Sequence, residues 1–162
     1  MSNHLEKLPA LVAQGIVRMQ NATGAVDEAA AALLKVNSTD LRCLSILLCR
    51  GSMPPSELAS LVHLTRAAVT TVLDRLEKRG LTRRTPDTKD RRSILIEVTP
   101  AAQKLVKEIW GPIQEEGLKQ LGSYSSAELQ FLIDFLDKAA ALQETHAERI
   151  RSFAVRRTRS AR

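Results

Sequence analysis

Aromatic residues make up only 3% of this 162-residue chain, with one Trp, one Tyr and three Phe. The core must therefore be filled by aliphatic side chains. Glycine (7) and proline (6) are also scarce, which leaves room for few long loops. No stretch of about 18 apolar residues exists, so no membrane-spanning helix is expected. Glu6, Lys7 and Arg18 interrupt the N-terminal stretch, so it does not read as a secretory signal, and a cytoplasmic location is expected. The only cysteines, Cys43 and Cys49, fall in one expected helix. Six residues of helix rise about 9 Å, beyond the roughly 7 Å that a disulfide spans between Cα atoms. Both lie among Leu44, Ile46, Leu47 and Leu48, an apolar setting in which cysteine reads as an inert small hydrophobe, with redox sensing as the alternative. No Cys/His set has zinc spacing, His4, His63 and His146 are scattered, and no cofactor is expected. Paired carboxylates, a nucleophile elbow and a Gly-rich phosphate loop are missing too, so the chain does not read as an enzyme.

What is present is helix-forming sequence and unevenly placed positive charge. The chain is 44% hydrophobic, with Ala-Leu-rich runs and no internal repeat, which points to a mainly α protein. The net charge of +6 conceals strong segregation. Residues 1–65 are neutral, residues 66–92 carry 9 basic and 4 acidic side chains, and residues 93–148 carry 4 and 9. Residues 149–162 then add six arginines and no acid. Clustered cations of this kind suit a polyanion, although a charge run alone equally describes a solvated face.

Leu5, Leu8, Val12, Ile16 and Met19 recur three or four apart and predict an amphipathic helix over 5–20. A second helical stretch covers about 25–35. Asn37 to Asp40 reads as a cap, Leu41 to Cys49 as the next helix, and Gly51 as its stop. Pro55 opens a short helix to Val62, and after His63-Leu64 the N-cap candidate Thr65 opens another from Arg66 to Arg79. That helix carries an apolar stripe, Val69, Val72, Leu73 and Leu76, opposite a polar face. Leu81–Arg84 and Ser93–Val98 read as two strands around the charged turn 85–92. Thr99-Pro100 starts a helix to about Leu121, expected to kink at Gly111-Pro112. Ser125 and Glu128 form a capping box for a last helix reaching about 150. Trp110 reads as core or interface.

A short helix, a tight turn, a second helix and a charged hairpin make a winged helix-turn-helix. Small side chains (Ala67, Ala68, Thr70, Thr71) let the second helix enter a major groove about 12 Å wide. Thr65, Arg66 and Arg75 complete its reading face, and Ser56 and Arg84 are candidate phosphate contacts. Lys89, Asp90, Arg91 and Arg92 form the wing tip, where an arginine can enter the minor groove.

The run LASLVHLTRAAVTTVLDRLEKRGLTRR, followed by PDTKDRRSILIEVTPAAQKL, resembles the MarR family of bacterial transcriptional regulators. The resemblance rests on Val69-Thr70, Asp74-Arg75-Leu76-Glu77, Gly80-Leu81 and the Asp-x-Arg of Asp90 and Arg92; Val98-Thr99 replaces the family's leucine-threonine. It is strong over about a third of the chain, and the flanking helices match only as amphipathic helices. It implies a homodimer that grips a pseudo-palindromic double-stranded DNA site, with Asp90 pairing with Arg92 to hold the wing arginine. It also implies a small anionic or aromatic effector bound between dimer helices and DNA lobes.

The expected architecture is thus mainly α with a small β-hairpin wing. Residues 1–36 supply N-terminal dimerisation helices, 37–100 the DNA-binding lobe, 101–150 C-terminal dimerisation helices and 151–162 a basic flexible tail. The expected function is sequence-specific regulation of transcription, as a repressor released by a small molecule. The alternative is a non-specific architectural DNA-binding protein.

Overall fold

A computed structural model of the chain describes residues 7–87 and 93–160, with side chains to residue 153. The order of elements is α1 (Leu8–Leu34), α2 (Ser38–Arg50), α3 (Pro55–Val62), α4 (Arg66–Lys78), β1 (Thr82–Pro86), β2 (Ile94–Val98), α5 (Pro100–Leu121) and α6 (Ser126–Ser160). The chain divides into two compact units, Met1–Gly111 and Pro112–Arg162. Among the described residues, no helix is long and apolar enough to cross a membrane.

The first unit holds the core. Buried Leu44, Leu58, Val69, Leu73, Leu76 and Ile96 meet there, drawn from α2, α3, α4 and β2. Trp110 and Ile109 of α5 pack against the same cluster, half-buried. Helix starts follow local chemistry. The Asn37 side chain accepts the Asp40 N–H (2.9 Å), and the Asp40 carboxylate accepts the Asn37 N–H (3.3 Å), a reciprocal box. Thr65 Oγ1 accepts the Ala68 N–H, and Thr99 Oγ1 accepts the Ala102 N–H. Helix α4 ends where Gly80 takes φ +70°, a left-handed turn that glycine adopts at no steric cost. The Leu81 N–H then reaches back to the Leu76 carbonyl at 2.9 Å.

The two strands are antiparallel, from Thr82 opposite Val98 to Pro86 opposite Ile94. Ile96 also exchanges backbone hydrogen bonds with Met53, just before α3, which ties the wing's root to the helix-turn-helix. In the second unit, Ser125 caps α6 as expected. Its N–H and hydroxyl donate to Glu128, holding that carboxyl below its ordinary range.

Three expectations need correction. The stretches at 5–20 and 25–35 are one helix, Leu8–Leu34. It contains Gly15 and Gly24 but no internal proline, and an interior glycine costs only about 1 kcal/mol. The last helix runs to Ser160 rather than to about 150. Finally, the cysteines are not alike: Cys43 is fully buried and Cys49 is exposed. Burial first, and then the nearby Asp40 carboxylate, push the Cys43 thiol up to about 11, so it stays protonated and poorly nucleophilic. Iodoacetamide at pH 8 is therefore expected to alkylate Cys49 alone in the native protein. The second adduct should appear only on unfolding; native labelling of both at similar rates would contradict the structure.

Candidate nucleic-acid interface

Helix α4 is amphipathic in the way a reading helix must be. Val69, Val72, Leu73 and Leu76 are buried, whereas Arg66, Ala67, Thr70, Thr71, Arg75 and Lys78 are exposed and Ala68 is half-buried. Thr70 Oγ1 donates to the Arg66 carbonyl (3.0 Å) and Thr71 Oγ1 to the Ala67 carbonyl (3.1 Å). With its one proton spent on the helix, each hydroxyl presents only lone pairs outward, which suits amino-group donors on base edges. The threonine methyls suit a thymine methyl.

The fold brings three expected elements to one place. Pro54, Pro55 and Ser56 at the start of α3, Arg66 and Thr70 of α4, and Ser93-Ile94 of the hairpin line a shared concavity of about 430 Å³. Ser56 is exposed in the first turn of its helix, where N–H groups lack an intrahelical acceptor. Pro55 before it contributes no donor at all, so Ser56 carries the first N–H that a phosphate oxygen could meet. The acidic Glu57 in the same turn weakens that attraction. Arg66 projects over the same concavity. The wing-tip candidates Lys89, Asp90, Arg91 and Arg92 lie outside the described residues.

Two candidates are committed elsewhere. Arg84 donates to Asp74 (2.6 Å) and to Glu77, which together favour its charged form. It clamps β1 to α4 rather than standing free for a phosphate. Arg75 forks onto Asp40, Nε to Oδ2 at 3.1 Å and Nη2 to Oδ1 at 2.6 Å. That bond likewise favours its charged form. Arg83 pairs with Glu97 directly across the hairpin. Sequence reading missed these partners. Asp74 and Glu77, three apart on one helix face, were a usable signal for a clamp; Asp40, 35 residues from Arg75, was not.

A sequence model of the MarR family matches residues 36–94, which span α2, α3, α4, β1 and the start of β2. The chain is 35% identical over 124 residues to the HTH-type transcriptional regulator YcgE of Bacillus subtilis, covering 76% of this chain and 80% of that protein. It is 27% identical over 104 residues to the multiple antibiotic resistance protein MarR of Salmonella typhimurium, covering 62% of this chain and 72% of that one. Among solved structures, a MarR family protein from Bacillus stearothermophilus superposes with a TM-score of 0.60 at 18% identity, over 88% of this chain and 97% of that chain. A MarR family transcriptional regulator from Silicibacter pomeroyi gives 0.59 at 23% identity, over 82% and 89%.

Proposed function

The chain belongs to the MarR family of DNA-binding transcriptional regulators, and from that premise we propose that it is a sequence-specific homodimeric repressor released by a small anionic or aromatic effector. The observation that carries the DNA reading is α4, with a buried aliphatic stripe opposite Arg66, Ala67, Thr70 and Thr71. In this reading Thr65, Ala68 and those four residues meet bases and adjacent phosphates, and the Ser56 N–H meets a phosphate. Lys89, Asp90, Arg91 and Arg92 serve the minor groove. Arg75 and Arg84 orient the helix and the wing. The protein acts in the cytoplasm and blocks transcription by occupying its site.

Dimerisation is supported by apolar side chains that a lone subunit leaves wet. Helix α1 exposes Leu11, Val12, Val17 and Met19, and α6 exposes Phe131, Ile133 and Leu136. A second copy is the simplest cover for such surfaces. For the effector, a groove of about 770 Å³ between α1 and α2 has mainly apolar walls and one cation, Arg42. Asp27 and Glu28 in the same lining repel an anion, so a single anionic group fits only beside Arg42, with the aromatic body against Ala31, Ala32, Val36 and Leu41.

Selection from random duplexes tests this reading. The wild-type protein should enrich a pseudo-palindrome with half-sites about 34 Å, one helical turn, apart. Arg66→Ala should weaken binding to that duplex by about 10-fold or more, in line with the 1–3 kcal/mol of a good base contact. Enrichment of no motif would favour the architectural alternative.

A further inference from the structure

Asp40 is the only buried charged side chain among the described residues. An isolated carboxylate in that position would cost several kcal/mol, so its partners are required. Oδ1 takes Arg75 Nη2, while Oδ2 takes Arg75 Nε and the Asn37 N–H. One carboxylate therefore closes the cap at the start of α2 and grips the reading helix 35 residues on.

At 3.6 residues per turn, Arg75 projects from one flank of the buried stripe of α4. Glu77, held by Arg84, projects from the other, and Asp74, held by the same arginine, from the exposed face. Between these flanks lie Ala67, Thr70, Thr71 and Lys78, exposed. The aliphatic stripe is non-directional and sets no bond angle of its own, so its hold on the helix's rotation comes only from how its neighbours are shaped. A forked carboxylate–guanidinium pair does not, because its two parallel bonds fix a plane. A rotation of about 20° would carry a side-chain tip roughly 5 Å from the axis through about 2 Å, well outside the span of a good hydrogen bond.

We infer that Asp40 is a positioning residue for sequence recognition: acting through Arg75, it sets the rotation of α4 and hence which base edges Thr70, Thr71 and Arg66 meet. This rests on the DNA-reading role proposed above. It gives Arg75 the work of an anchor rather than of a base or phosphate contact.

Asp40→Asn keeps a side-chain oxygen for the cap and removes the charge; Arg75→Lys keeps an exposed cation and removes the fork. Each is to be titrated against the selected duplex and random DNA at several salt concentrations. In parallel, amide hydrogen exchange of α4 is followed in the free protein. Each single variant is expected to lower the ratio of specific to random affinity about tenfold, with random-DNA affinity and salt slope unchanged. The double variant should fall no further than the worse single, and α4 amides should exchange faster in all three. A merely structural defect would lower both affinities together. Unchanged discrimination in Asp40→Asn, additive losses, or a salt slope smaller by about 0.9 in Arg75→Lys, the mark of a lost phosphate contact, would overturn the inference. If wild-type protein does not discriminate between duplexes, the regulator reading fails instead, and exchange alone decides whether Asp40 holds α4: unchanged protection would overturn that hold.

Discussion

Phe131→Asp combined with Leu136→Asp is expected to turn a dimer into a monomer and to weaken operator binding at least 100-fold. Helix α6 carries Leu129, Phe131, Leu132, Ile133, Phe135 and Leu136 within eight residues, an apolar arc of about 200° with Gln130 and Asp134 opposite it. An apolar face that wide is normally packed against another surface, yet Phe131 is 69% exposed and Leu136 50% in the single chain. Two carboxylates there would have to be desolvated in any interface, at several kcal/mol each. The affinity loss follows from valency. A dimer's second half-site is bound at an effective concentration near millimolar, an advantage of 10² or more that a monomer forfeits. Sedimentation equilibrium should give the mass of one subunit. The core of the first unit contains none of these residues, so its far-ultraviolet circular dichroism should stay helical. A variant that still sediments as a dimer would place the interface elsewhere.

Leu44→Ala is expected to cost about 3–4 kcal/mol, a fall on the order of 10 °C in melting temperature for a chain of this size. Leu44 is fully buried on α2 and belongs to the cluster shared with Leu58, Leu73, Leu76 and Ile96. Its neighbours come from α3, α4 and β2, so no single element can close over the void, and the cavity penalty adds to the lost transfer energy. DNA binding measured well below the new midpoint should keep its sequence preference, because no reading residue is touched. A loss under about 1 kcal/mol in a denaturant titration would mean that this is not the core.

Features set by local chemistry were legible in the sequence. The stripe Val69, Val72, Leu73 and Leu76, the caps at Thr65, Thr99 and Ser125, and the left-handed Gly80 each depend on residues within one or two turns. The joining of two stretches into α1 was not, because the polar run around Asn21-Ala22-Thr23 and Gly24 looks like a break when helix propensity is the only guide. Asp40 and the exposure of Cys49 were hidden for a different reason. Both depend on which face of α2 meets α4, a tertiary fact that no short-range pattern encodes. Arg75 and Arg84 show the same limit in the reading face. Sequence separates cations from apolar residues, but only the fold shows which cations are already spent on carboxylates.

Sequence-specific binding by a dimer is tested most directly by fluorescence anisotropy with the DNA immediately upstream of the chain's own gene, at two salt concentrations, against random competitor DNA. A sequence-specific dimer should saturate at two subunits per site, with a specificity ratio of about 10³ or more. Binding that random DNA removes as readily as the labelled duplex itself, for this segment and for any duplex recovered by selection, would contradict it.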